Sequence, residues 1–440
     1  MSNWSGTADN PPLEKEVVFL FFRGDILNKS TAIKLQTVNL KEAGKDIKKA
    51  SETLKNVINK TELIYSEFFS NECGNKVYLK PENLQFTGSF KIRGAYNKIA
   101  NLPESVRKKG IVASSAGNHA QGVAYSAKSL GISSKIVMPS VTPLIKIEST
   151  KAYGSEVVIH GEIYDDAYEK ALEIAEIEGR EFIHPFNDYS VICGQGTIGL
   201  EIIEELKDVD EILVPVGGGG LLSGIALAVK SVNPNIRVIG VEPEGAMTMK
   251  NSLNKGMVCS LDRIQTSAEG VAVKRPGDLT FGIVQDYVDG IITVSEKEIM
   301  EAVLMLIDKH KLIAETAGVL TLAALKKLTV TNKKIVSVIS GGNIDVVTIS
   351  SMINRGLISR GRIFCFSVDL PDVPGQLLKI SEILAEKKAN VIKLDHNQFK
   401  AIDRYVNVQL EVTVETNGHL HIDDIILSLK NNGFTVNRVY

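Results

Sequence analysis

From about Leu40 to Ile353, short β-branched or apolar runs alternate with amphipathic stretches, the pattern of a parallel α/β sheet. Ile111–Ala113, Lys135–Met138, Glu156–His160, Glu211–Val216, Ile236–Val241 and Lys334–Ile339 predict strands. These runs are almost wholly apolar, so they expect burial on both faces, with helices covering each side of the sheet. Tyr164–Glu178 predicts one such helix, because Ala167, Ala171, Leu172, Ile174 and Ala175 recur at near-helical spacing.

After Asn354 the texture changes. Arg355, Gly356, Ser359, Arg360, Gly361 and Arg362 predict a polar linker over 354–362. Beyond it, Ile363–Leu370 reads as strand, Gln376–Lys388 as helix, Asn390–His396 and Arg404–Val414 as strands, Asp423–Asn431 as helix and Phe434–Val439 as strand. That βαββαβ order is a ferredoxin-like unit of about 80 residues. Residues 1–37 read as a poorly ordered extension; its apolar run Val17–Phe22 is too short for a secretory signal core.

Composition narrows the function. A chain of 440 residues expects two or three domains, and a formal net charge of -2 gives no electrostatic reason for a nucleic acid or a membrane as partner. Cys73, Cys193, Cys259 and Cys365 lie far apart, form no metal-type pair and predict reduced thiols in a cytoplasmic protein. His419 and His421, the one close histidine pair, read as an exposed polar turn.

Four motifs carry chemistry. Gly217, Gly218, Gly219 and Gly220 follow a buried strand and precede the helix Leu221–Val232. Strand, glycines and helix N-terminus make an anion site, because the backbone can approach closely and its N–H groups converge. Ser114–Gly122 (SSAGNHAQG) likewise follows a strand and opens a helix, placing a second set of N–H groups for a carboxylate. Lys91, among the apolar neighbours of Gln85–Ala95, is a candidate nucleophilic amine. Ser340–Asn343 (SGGN) closes another strand. An amine, two anion cradles and a hydroxyl at strand ends are the parts of a site for amino-acid chemistry on an aldehyde cofactor.

With SFKIRGA, SSAGNHAQG, GGGGL and SGGN in this order, the chain resembles the fold-type II pyridoxal-phosphate enzymes, most closely the threonine dehydratases. The tail, with VDLPDVPGQL, resembles a single ACT regulatory domain. The resemblance implies two open, mostly parallel α/β domains of the tryptophan synthase β type, followed by the ferredoxin-like domain. A large domain would span 38–85 and 186–353, a small one 86–185, and the ACT domain 363–440. It further implies pyridoxal 5'-phosphate as a Schiff base on Lys91, with Phe90 against its ring and Asn118 on its ring oxygen. Gly217, Gly218, Gly219, Gly220 and Leu221 would bind its phosphate, and Ser340 would face its pyridine nitrogen. Ser115, with the N–H groups of Asn118 and His119, would hold the substrate carboxylate, and Glu315 would stand near the reacting end.

The implied reaction is conversion of L-threonine to 2-oxobutanoate and ammonia, and of L-serine to pyruvate. Isoleucine or valine at the ACT domain is the implied effector, within isoleucine biosynthesis, in a homodimer or homotetramer. Ala116 stands where serine racemases carry the serine that reprotonates Cα, so elimination is expected over racemisation. Glu242 matches a carboxylate that binds a monovalent or divalent cation in some relatives, but Thr248 replaces its companion, so no metal ligand is assigned. A degradative dehydratase without isoleucine control, a β-replacement enzyme and a non-catalytic amino-acid sensor remain as alternatives.

Overall fold

The computed structural model describes residues 38–371, 373–397 and 407–440. The expectation for residues 1–37, and the start of the strand expected from Arg404, lie outside the described residues.

Three sheets organise the chain. The largest runs in the order Ile64–Ser66, Lys76–Pro81, Lys334–Ile339, Glu211–Pro215, Arg237–Pro243 and Gly290–Val294. Only its first pair is antiparallel. A smaller sheet, wholly parallel, runs Glu156–Ile159, Ser134–Met138, Ile111–Ser114 and Glu181–Phe182. Six of these ten strands are the expected runs, with ends shifted by a residue or two; Ile64–Ser66, Lys76–Pro81, Glu181–Phe182 and Gly290–Val294 are additional to them. Apolar clusters line the large sheet; Leu213 and Val241 belong to one, Ile212 and Val214 to another. Alternate residues of one strand therefore feed different cores, as a sheet covered on both faces demands.

Helix packing fixes where the motifs stand. Helices Lys91–Ala100 and Gly220–Val232 both pack on Tyr189–Glu205, and glycines bring the three together. A Cβ at Gly194 would lie 2.6 Å from Gly94 Cα, and one at Gly224 would lie 2.6 Å from Gly196 N. No side chain fits between these backbones, so the lysine helix and the glycine-turn helix share one rigid support.

Behind the lysine lies a buried group of four charges. Arg93, fully buried, donates Nε to Glu82 at 2.8 Å and Nη2 to the other Glu82 oxygen at 2.7 Å. Its guanidinium also reaches Glu201 at 2.5 and 2.9 Å, and Lys80 Nζ reaches Glu201 at 2.6 Å. Two cations thus meet two carboxylates, and Thr61 and Thr197 supply further bonds.

The third sheet runs Asn390–Asn397, Asn407–Glu415, Ile363–Pro371 and Val436–Arg438, all antiparallel. With helices Gln376–Glu386 and His419–Asn431 it forms a ferredoxin-like βαββαβ unit around Phe364, Phe366, Val412, Ile380 and Ile425.

Two expectations are corrected here. The expected linker is helical as far as Ser359, because helix Val346–Ser359 continues through it. Gly356 looks like a breaker but serves close approach, since a Cβ there would lie 1.9 Å from Leu304 Cδ1. The histidine pair is not a free turn either. His421, in the first turn of its helix, contacts the Lys387 carbonyl through Nε2 at 2.7 Å, and His419 contacts the Ser359 carbonyl at 3.1 Å. Among the described residues no helix is long and apolar enough to cross a membrane.

Candidate active site

Strands Lys76–Pro81, Lys334–Ile339 and Glu211–Pro215 are parallel neighbours, so the loops at their carboxyl ends meet along one edge. The loop before Lys91 is tied to Ser340–Asn343. Phe90 N–H donates to the Ser340 carbonyl at 3.1 Å, and Gly342 N–H to the Gly88 carbonyl at 2.8 Å. The Asn343 amide donates to the Thr87 carbonyl at 2.7 Å and to Asn118 Oδ1 at 2.6 Å. Asn118 Nδ2 in turn donates to Glu315 Oε1 at 2.6 Å. A Cβ at Gly341 would lie 2.5 Å from that carboxylate oxygen and 3.2 Å from Asn118 Nδ2, so only glycine leaves room for their meeting.

Lys91 opens its helix, with its amine 5.3 Å from the centroid of the Phe90 ring. Nζ donates to the Pro185 carbonyl at 2.8 Å. Burial lowers its pKa to about 8, against the opposing influence of the nearby Glu315 charge. An appreciable fraction of a neutral, nucleophilic amine is therefore present near neutrality. Burial also raises Glu315 to about 7, and the Asn118 hydrogen bond opposes that rise.

The glycine turn is joined to Lys91 through the residue after Pro185. The Phe186 ring covers the turn, where a Cβ at Gly218 would lie 2.3 Å from it. Gly219 has φ +95°, a conformation that favours glycine. Ser223 N–H makes the first bond of the following helix, to the Gly219 carbonyl at 2.9 Å. Among the described residues, no acceptor meets the N–H groups of Gly217, Gly218, Gly219, Gly220 or Leu221.

A second helix begins at Asn118, and its first bond runs from Gln121 N–H to the Gly117 carbonyl at 3.2 Å. The N–H groups of Asn118 and His119 have no acceptor among the described residues, and Ser115 Oγ accepts from Gly117 N–H at 3.3 Å. A Cβ at Gly117, beside Ala116, would meet nothing within 4 Å, so this turn borders open space. The His119 side chain points elsewhere, its Nε2 lying 2.8 Å from the Ile183 carbonyl. A carbonyl only accepts, so Nε2 carries the proton, and burial holds the ring neutral with a pKa of about 3.

Residues 54–341 match the family described as "Pyridoxal-phosphate dependent enzyme". The chain belongs to this family. Within the pyridoxal-phosphate enzymes it is 50% identical to the L-threonine ammonia-lyase of Thermotoga maritima over 392 residues, 89% of this chain and 98% of that one. The catabolic L-threonine dehydratase of Escherichia coli K12 is 49% identical over 320 residues, 72% of this chain and 97% of its own. Among solved structures, the processed form of threonine deaminase isoform 2 from Solanum lycopersicum superposes with a TM-score of 0.69 at 38% identity, covering 75% of this chain and 99% of that one.

The residues present fit a pyridoxal phosphate. A phosphate needs several convergent donors, and the glycine turn holds five N–H groups without acceptors among the described residues. Among the described residues the buried hydroxyls of Ser89, just before Lys91, and Ser114, at the end of its strand, have no hydrogen-bond partner. The Ser340 hydroxyl is buried, with only a 3.5 Å contact to the Ala317 carbonyl. It is therefore free to meet a ring nitrogen.

The loop that bridges lysine and glycines, Ile183–Asn187, is absent from the motifs picked out in the sequence. Its one local signal is a His-Pro-Phe-Asn run after a very short strand, Glu181–Phe182. His184 Nδ1 accepts from Phe186 N–H at 3.2 Å and Asn187 N–H at 2.9 Å, which shapes that turn. Glu242 has a different surrounding from that of a cation ligand. Its oxygens accept from Met249 N–H at 2.8 Å and Lys250 N–H at 2.9 Å, capping helix Thr248–Lys255. No group of three or more metal-ligating side chains occurs among the described residues.

Proposed function

We propose that this chain removes water and ammonia from L-threonine, giving 2-oxobutanoate, and acts likewise on L-serine to give pyruvate. The water lost in the elimination returns when the imine product is hydrolysed, so the net products are the oxo acid and ammonia. The observation that carries this reading is the placement of the Lys91 amine, on the Pro185 carbonyl beside the glycine turn, with two helix starts whose N–H groups meet no acceptor among the described residues. Burial lowers the pKa of that amine to about 8. Half-identity to an L-threonine ammonia-lyase over nearly its whole length supports threonine as the substrate.

Lys91 would carry the cofactor, with Phe90 against the ring, Asn118 on the ring oxygen and Ser340 at the pyridine nitrogen. Gly217, Gly218, Gly219, Gly220 and Leu221 would hold the phosphate through their N–H groups. When bound, pyridoxal phosphate draws off the electron pair left at Cα. Ser115 and the N–H groups of Asn118 and His119 orient the substrate carboxylate. The neutral Lys91 amine takes the α-proton. Ala116 has no proton to return from the opposite side, so elimination prevails over racemisation. Glu315 stands by at the reacting end.

The catalytic part comprises 38–85 with 186–353 and the smaller 86–185, in a homodimer or homotetramer. Four free thiols support a reducing, cytoplasmic setting. The ferredoxin-like unit, 363–440, acts as an ACT-type regulatory domain. An open pocket of about 330 Å³ lies where its first strand meets its first helix, lined by aliphatic side chains such as Leu370, Val373, Val408 and Leu410 together with Gln376 and His396. Mostly aliphatic walls suit isoleucine or valine, which supports a place in isoleucine formation.

Steady-state turnover of threonine, serine and O-acetylserine tests the catalytic reading, and threonine is expected to be the best of the three. If O-acetylserine leads, the chain is a β-replacement enzyme. Isoleucine titrated into the same assay is expected to raise the apparent KM for threonine; no response, with no heat of binding, removes the regulatory reading.

A further inference from the structure

We propose that Asn343 is a positioning residue for Glu315: by donating to the Asn118 carbonyl, it fixes which end of that amide faces the carboxylate. The proposal rests on the reading of Glu315 as a group at the reacting end.

The two ends of an asparagine amide are nearly equal in size, so hydrogen-bond partners decide its orientation. Here the decision starts from an atom that has no choice. The Thr87 main-chain oxygen can only accept, and Asn343 faces it at 2.7 Å, so that end of Asn343 must be its NH2. The same NH2 lies 2.6 Å from Asn118, whose facing atom must therefore be its oxygen. The far end of Asn118, 2.6 Å from Glu315 Oε1, is then NH2. Glu315 is presented with a donor, and Asn118 keeps its second N–H for the cofactor. Gly88, at φ +69°, makes room for the arrangement, because a Cβ there would lie 2.4 Å from Asn343 Oδ1.

A carboxylate facing a fixed donor is favoured as the anion; facing a carbonyl, it must hold a proton. The charged groups that influence Glu315 are Lys146 and Lys91, which favour the anion, and Glu269, which opposes it, while burial opposes it most strongly. Asn118 is its one side-chain hydrogen bond in that set. Reversing this amide therefore removes the largest influence holding the anion.

Asn343→Asp keeps the shape and abolishes the donor. Asn118 should then turn its NH2 toward residue 343 and its oxygen toward Glu315. The readout is the carboxyl stretch of Glu315 in infrared titrations of the apoenzyme, assigned by difference against Glu315→Gln. The midpoint is expected to rise by about one unit or more, and the acid limb of kcat/KM for threonine to move with it. In an Asn118→Ala background the same substitution should lose most of that shift, because the effect travels through the amide. Asn343→Ala, which adds no charge, is expected to move the midpoint the same way by ~0.3 unit. It also serves if the aspartate variant fails to fold. Unchanged midpoints in both Asn343 variants, or an equal shift with and without Asn118, would overturn the proposal. An enzyme that does not turn over threonine would sink the functional reading but leave the infrared test intact.

Discussion

Lys91 and Arg93 lie two residues apart on one helix, the first half-buried and the second fully buried, yet their surroundings shift them in opposite ways. Arg93 meets Glu82 and Glu201 in four hydrogen bonds, and its pKa is pushed further up despite the cost of burial. Lys91 finds one main-chain carbonyl and a carboxyl at a distance, so burial wins and its pKa falls. Pairing turns one cation into a permanent strut. Incomplete pairing leaves the other reactive. The difference separates a charge held by its partners from one left able to titrate, and residue type alone would not have drawn that line.

Breaking the reactive side of this pair should have the largest effect. Lys91→Ala is expected to lower threonine turnover by about 10³-fold or more, and to abolish the visible absorption of the bound cofactor while the melting temperature holds. Retained turnover would mean that another group moves the α-proton. Arg93→Met attacks the strut instead. Two carboxylates would be left buried beside Lys80 alone, at an expected cost of about 3–5 kcal/mol in chemical denaturation. A loss below about 1 kcal/mol would place the quartet among weak surface-like pairs.

Glu315→Gln sharpens the contrast with a smaller effect. Burial lifts the Glu315 pKa to about 7, so its anionic fraction falls as the pH drops through that value. If the anion is the working form, kcat/KM declines on the acid side of pH 7. Glutamine cannot titrate. The variant should therefore lose about tenfold at its optimum and lose that acid limb as well. An acid limb that persists unchanged would assign it to a different group.

Much of this arrangement could be read from the sequence because its signals are local. Four glycines between a buried strand and a helix predict a tight turn at a helix start without knowledge of anything else in the chain, and that turn is present, with Gly219 at φ +95°. The strand order of the C-terminal unit follows from its alternating runs for the same reason. The buried quartet could not be read this way, since Lys80, Glu82, Arg93 and Glu201 become neighbours only once helix Tyr189–Glu205 packs on helix Lys91–Ala100. Ile64–Ser66 and Glu181–Phe182 are too short to show a period. Gly356 was misread because a glycine that permits close helix packing looks, in a sequence, like one that ends a helix. Asn343 stood in a recognised motif, but its partners Thr87 and Asn118 come from two other loops.

The contact between Lys91 and Pro185 has a consequence for how the amine behaves as its charge changes. A main-chain oxygen is an uncharged acceptor, and both –NH3⁺ and –NH2 have an N–H to give it. The contact can therefore persist in either form, with the charged amine donating the stronger bond, and a proton can come or go without the anchor being lost. A side-chain anion in its place would have gripped one form far harder than the other, and every proton transfer would have had to work against it.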